Sequence, residues 1–111
     1  MEKTILDFLK EKMAGVPVYL EVPANRPTKF IVIDKTGSGL KEHISSMTVA
    51  IQSYDKTKAK ASALNEEVKK EMLNLIELNT VSKISLNTDY PFADPQTKAY
   101  RYQAVFDIVH Y

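Results

Sequence analysis

The chain holds two histidines and no cysteine, so a metal site or acid–base pair would have to come from His43, His110 and carboxylates. Zinc and hydrolytic sites gather histidines at short fixed spacings such as HxH or HxxxH. His43 and His110 have no such partner, and both are read as structural histidines. Asp89 and Asp94 bracket Pro91 and suit a divalent ion or a carboxylate pair, but aspartate beside proline is also turn chemistry. A turn from Asp89 to Pro95 is the expectation. Ser45, Ser46 and Ser53 lack the glycine-flanked strand-to-helix elbow of a hydrolase nucleophile, and Gly37-Ser38-Gly39 lacks the lysine and spacing of a phosphate loop. No catalytic residue, cofactor or metal is expected. A small enzyme built on Asp89, Asp94 and His110 ranks last among the functions considered.

Lys56, Lys58 and Lys60 could touch phosphates, but Glu66, Glu67 and Glu71 follow on the same stretch, so a solvated face of mixed charge is the simpler expectation. Tyr90, Tyr100, Tyr102 and Tyr111 cluster late in the chain. Tyrosine favours both sheets and protein interfaces; Tyr102 is assigned to the core, Tyr90 and Tyr111 to an interface.

The elements that position these residues fit in 111 residues with 44% hydrophobic and 26% charged side chains, the composition and size of one folded domain over residues 1–111. A formal net charge of +1 lacks the footprint of a dedicated nucleic-acid binder. Charges interrupt the N-terminal apolar residues every few positions, so neither a signal peptide nor a membrane span is expected there, and a soluble intracellular protein is.

Ile5, Leu6, Leu9 and Met13 share one helical face, predicting a helix from Glu2 to Ala14 that Gly15 and Pro17 stop. Val18–Val22 reads as a short strand that Pro23 and Pro27 confine to an edge or an extended arm. The nearly continuous apolar run Lys29–Asp34 predicts a central strand covered on both faces. Lys35–Glu42, with two glycines, reads as a long flexible hairpin connection. From His43 to Tyr54 the sequence alternates, with Met47, Val49 and Ile51 on the buried side. Asp55 or Thr57 caps a second helix whose stripe is Ala61, Leu64, Val68, Met72 and Leu75. Val81–Thr88 and Tyr100–His110 read as strands, the latter placing Tyr100, Tyr102, Ala104, Phe106 and Ile108 on one face. The fold class is therefore α+β: a largely antiparallel sheet of about four to five strands with two helices packed on one face.

Over nearly its whole length the sequence resembles the tail-terminator or tail-completion proteins of long-tailed bacteriophages and prophages, a group that includes minor tail and minor capsid proteins. The resemblance is carried by Val16–Pro23, by Pro27–Gly39, by Met47–Tyr54, by an Ala- and Glu-rich helix, and by Tyr90–Pro95 with Tyr100–Gln103. It implies a structural virion-assembly subunit, not an enzyme, that forms a homo-hexameric ring. The ring would cap the tail tube, stop its growth, and present a docking surface to the head-completion or connector protein. Its implied partners are itself, the tube protein and the connector protein, with no membrane and with DNA only in passage. The implied locations are the host bacterial cytoplasm during assembly and the virion tail. Related tail proteins serve in head-to-tail connectors, so an assembly role is the broader implication.

Loop character places the subunit contacts at Lys35, Thr36, Gly37, Ser38, Gly39, Leu40 and Lys41, with Pro23–Pro27 and Tyr90, Phe92 and Asp94 of the Asp89–Pro95 turn as secondary contacts. Lys56, Lys58 and Lys60 are the candidates to line a lumen. The main rival is a stand-alone bacterial protein- or peptide-binding domain that grips its ligand with the Gly37–Gly39 loop or an exposed edge strand.

Overall fold

Ile5, Leu9 and Met13 fall at four-residue intervals, and the computed structural model buries all three on or just past helix α1, Glu2–Lys12. The structure describes residues 2–22, 24, 27–41, 44–79, 81–91 and 100–110. Helix α1 ends two residues short of the predicted Ala14, where the chain tightens through Val16 N–H donating to the Met13 carbonyl at 3.0 Å. Gly15 sits at φ +92°, a conformation other residues resist, so glycine is the physical stop.

Five strands form one sheet in the order β1-β2-β3-β5-β4: β1 Val18–Tyr19, β2 Phe30–Lys41, β3 Ile44–Asp55, β4 Val81–Pro91 and β5 Tyr100–His110. All neighbours pair antiparallel except β1, which runs parallel to β2. The sheet is thus mixed, and the fold is α+β with two helices. Helix α2, Lys58–Leu73, continues into a 3₁₀ turn over Asn74–Glu77 that buries Leu75. Thr57 caps α2 by accepting from Lys60 N–H at 3.2 Å. Asp55, the other cap candidate, instead takes the Lys56 N–H at 2.6 Å.

Both helices and all five strands contribute to one core, in which Ile5, Leu9, Leu64, Val68 and Met72 meet Ile31, Ile33, Val49, Ile51, Phe106 and Ile108. Both helices therefore cover the same face of the sheet. Each large apolar side chain buried there contributes about 1.5–3 kcal/mol. A second, small cluster of Phe30, Val32 and Tyr54, flanked by Tyr19, lies on the other face.

Three sequence expectations change. The strand expected to be central, β2, is second in the order and β3 is central. The apolar run of β2 does have both faces covered, Ile31 and Ile33 by the helices and Phe30 and Val32 by the aromatic cluster, but covered faces do not fix lateral position. The expected long loop from Lys35 is strand: β2 stays paired with β3 as far as Lys41↔Ile44, with one bulge between Lys35 and Gly37. Glycines weaken a strand without forbidding it, and the buried alternation of β3 supplies a partner that holds them in line. Likewise Asp89, Tyr90 and Pro91 belong to β4 and pair with β5, since proline is tolerated at the end of an edge strand. Phe92, Asp94 and Pro95, with His43, Glu42, Pro23, Arg26 and Tyr111, lie outside the described residues. Only Val18 and Tyr19 of the predicted Val18–Val22 strand are paired.

Candidate interaction surfaces of the sheet

Strand alternation turns Thr48, Gln52 and Tyr54 of β3 and Arg101, Gln103 and Asp107 of β5 to the face opposite the helices, and register then decides which of them meet. Two polar bands result. In the first, Thr36 Oγ1 donates to the Thr48 carbonyl at 3.2 Å, Thr48 Oγ1 donates to Asp107 Oδ1 at 3.0 Å, and Asn87 Nδ2 donates to Asp107 Oδ2 at 2.9 Å. This band crosses β2, β3, β5 and β4, and its outermost members are the residues displaced by the bulges on β2 and β4. In the second, Gln103 Nε2 donates to the Tyr90 hydroxyl at 2.6 Å, and Gln52 Nε2 donates to Gln103 Oε1 at 3.0 Å.

Beside the second band, Tyr54 stacks on Phe30 with ring centroids 4.3 Å apart and planes 7° from parallel. Tyr19 meets the Phe30 edge at 6.1 Å. Arg101 Nη1 donates to the Tyr54 hydroxyl at 2.6 Å, and that hydroxyl donates to Gln52 Oε1 at 3.3 Å. Cross-strand pairs of this kind each add a fraction of a kcal/mol and together fix register.

On the helix side, Asp89 fastens β4 to α2. Its Oδ2 accepts from Asn65 Nδ2 at 3.2 Å and from Lys69 Nζ at 2.8 Å, and Lys69 also pairs with Glu66 at 2.7 Å. The hydrogen bond to Asp89, then that to Glu66, raises the Lys69 pKa above its ordinary value against a smaller lowering by desolvation. Asp89 is therefore a docking residue of a strand, where a turn carboxylate was expected.

The lateral edges of the sheet differ. On one side, among the described residues, β4 is the outer strand along its whole length. On the other, β1 lies against β2 only at Ile31 and Val32, and among the described residues no strand follows along the rest of β2. Leu86 and Tyr90 of β4 are more than a third exposed.

Of the residues singled out in the sequence, the structure brings Thr36 into the first polar band and Tyr90 into the second. Lys35 is exposed and Gly37 half-buried on β2; Ser38, Gly39, Leu40 and Lys41 belong to the same strand. Lys56, Lys58 and Lys60 are exposed around the start of α2. Tyr102 is half-buried on the helix side. Asp89 and His110 do not converge: Asp89 pairs with Ala104, six residues along β5 from His110, a separation of about 20 Å. Among the described residues no group of three His, Asp or Glu side chains could hold a metal ion, and no helix is long and apolar enough to cross a membrane. Sequence reasoning missed Asn65 and Lys69, because nothing in local spacing ties them to Asp89. It also missed the Gln52–Gln103 and Thr48–Asp107 pairs, for which alternation names the face but not the partner.

The chain matches no protein-family model, and no curated protein matches it significantly.

Proposed function

We propose that this chain is a structural subunit of a phage or prophage particle, of the tail-terminator kind, that closes into a ring on the tail tube and meets the head connector through its other face. The proposal rests on the sequence resemblance and is favoured by one structural observation: the sheet has two long lateral edges that differ in sequence and lie on opposite sides. A ring requires a head-to-tail contact in which two unlike patches of each subunit fit each other and close by rotation. An edge of β4 on one side and an edge of β2 on the other offer two such unlike patches. The mechanism is surface matching: one rim of the ring copies the contact of the next tube ring, and the opposite rim lacks it, so growth stops.

The test is tube polymerisation with the tube subunit of the same particle. Adding this chain is expected to halt elongation at substoichiometric amounts, one ring per tube end. Tubes that lengthen at the same rate with and without it overturn the proposal. A peptide- or protein-binding domain is the second proposal, favoured by a groove where Leu6 and Lys10 of α1 face Leu20 and Val22, the latter two exposed. Under that alternative the chain stays monomeric and leaves tube growth unchanged.

A further inference from the structure

We infer that neighbouring copies join edge to edge, the outer edge of β4 pairing antiparallel with the β2 edge of the next copy, to make one sheet continuous around the ring. The inference rests on the ring proposal and names the surface that would close it.

Strand direction carries the first step. In the order β1-β2-β3-β5-β4, each of the four long strands runs opposite to its neighbour, so the two outer long strands, β2 and β4, also run opposite to each other. Rotation about an axis along the strands preserves direction. It therefore presents β4 of one copy to β2 of the next as an antiparallel pair, the ladder with the better hydrogen-bond geometry.

Length carries the second step. Strand β4 has 11 residues, and β2 continues from Ile33 to Lys41 beyond the stretch that β1 covers. The Ile31 N–H donates outward to the Pro17 carbonyl at 2.9 Å, and strand alternation turns the Ile33 backbone groups to the same side.

The bulges carry the third. A bulge ordinarily blunts an edge against indiscriminate pairing. On β4 one bulge falls at Asn87, between the rows of Val105 and Phe106. On β2 the bulge falls at Thr36, between the rows of Val49 and Thr48. Val49 pairs with Phe106 and Thr48 with Asp107, so the two bulges occupy adjoining rows. When the edges meet at the same height, Lys83–Ser85 faces Gly37–Gly39, Thr88 and Asp89 face Asp34 and Ile33 just short of the stretch that β1 covers, and both strands bend together at the one extra residue each carries in between. An edge without a bend at that height would not follow them, which makes the pairing selective for a second copy of this chain.

Ser85 and Gly37 stand in one row, through Asp107 and Thr48, and on the face away from the helices. In the proposed pairing they become cross-strand neighbours, at a Cα separation of about 4.5–5.5 Å that suits a disulfide. A Cβ added at Gly37 meets no atom within 4 Å, and the chain has no cysteine of its own, so engineered thiols report without background. Three proteins are oxidised at a concentration where light scattering shows multimers, or after incubation with the tube subunit. They are Ser85→Cys alone, an equal mixture of Ser85→Cys and Gly37→Cys, and the double variant; thermal melting of each checks that it folds. The expected result is no crosslink for Ser85→Cys alone, a covalent dimer and nothing larger for the mixture, and a ladder ending at the ring number for the double variant. Multimers without these crosslinks, or dimers of Ser85→Cys alone, which would mean β4 paired with itself, overturn the edge pairing and leave the ring proposal standing. Monomers under every condition, with no crosslink, overturn both.

Discussion

Replacing Asp89 with alanine tests whether edge strand β4 is fastened to α2 by one carboxylate. Asn65 is 1% exposed, and its amide nitrogen donates to Asp89 Oδ2 at 3.2 Å. Its Oδ1 has no partner among the described residues, so truncating Asp89 strips a buried amide of its charged acceptor, a loss of about 1–3 kcal/mol. The Lys69 pair is smaller: Asp89 is 31% exposed and Lys69 18%, Lys69 keeps Glu66, and such pairs contribute about 0.2–1 kcal/mol. Asp89→Ala is therefore expected to destabilise the fold by about 2 kcal/mol, moving a urea midpoint by about 1 M. Asp89→Asn keeps an acceptor oxygen for Asn65 and should cost less than half as much. The pH dependence has a definite sign. Lys69 is raised above 10.5 in the folded chain, so its contribution is complete below 10.5 and is lost as pH rises through the folded value. The gap between the native chain and Asp89→Ala should stay flat across neutral pH and narrow above 10.5. Coincident urea curves for the two proteins at neutral pH would mean that Asp89 does not fasten β4 to α2.

Thr57→Ala removes the side-chain cap of α2 and should cost about 1 kcal/mol, recovered by Thr57→Asp, as read from denaturant midpoints. Gly15→Ala finds space for its Cβ but not for its backbone, because φ is +92°; a loss of about 1–2 kcal/mol is expected by thermal melting. Tyr54→Phe keeps the stack on Phe30 but deletes the hydroxyl that accepts from Arg101 and donates to Gln52; urea midpoints should register about 1–2 kcal/mol.

Helix α2 was legible because its signals agree: a threonine cap, then apolar residues at helical spacing from Ala61 to Met72, all buried. Strand β5 was legible for the same reason at period two, with Ala104, Phe106 and Ile108 alternating inward. The second half of β2 was not. Gly37 and Gly39 read locally as a loop, and only the partner strand 12 residues long, held in register by its buried face, makes them strand. Asp89 shows the same limit, since its acceptor role depends on Asn65 and Lys69, 24 and 20 residues away. The surfaces argued to matter for assembly are products of register and strand order, which are nonlocal; the sequence carries their residues but not their neighbours.

Ring formation is read from the solution mass, by light scattering behind a sizing column over a wide range of concentration, alone and with the tube subunit. A ring subunit should give a closed oligomer of roughly six times the 12.6 kDa chain. A 12.6 kDa monomer under every one of these conditions would contradict it.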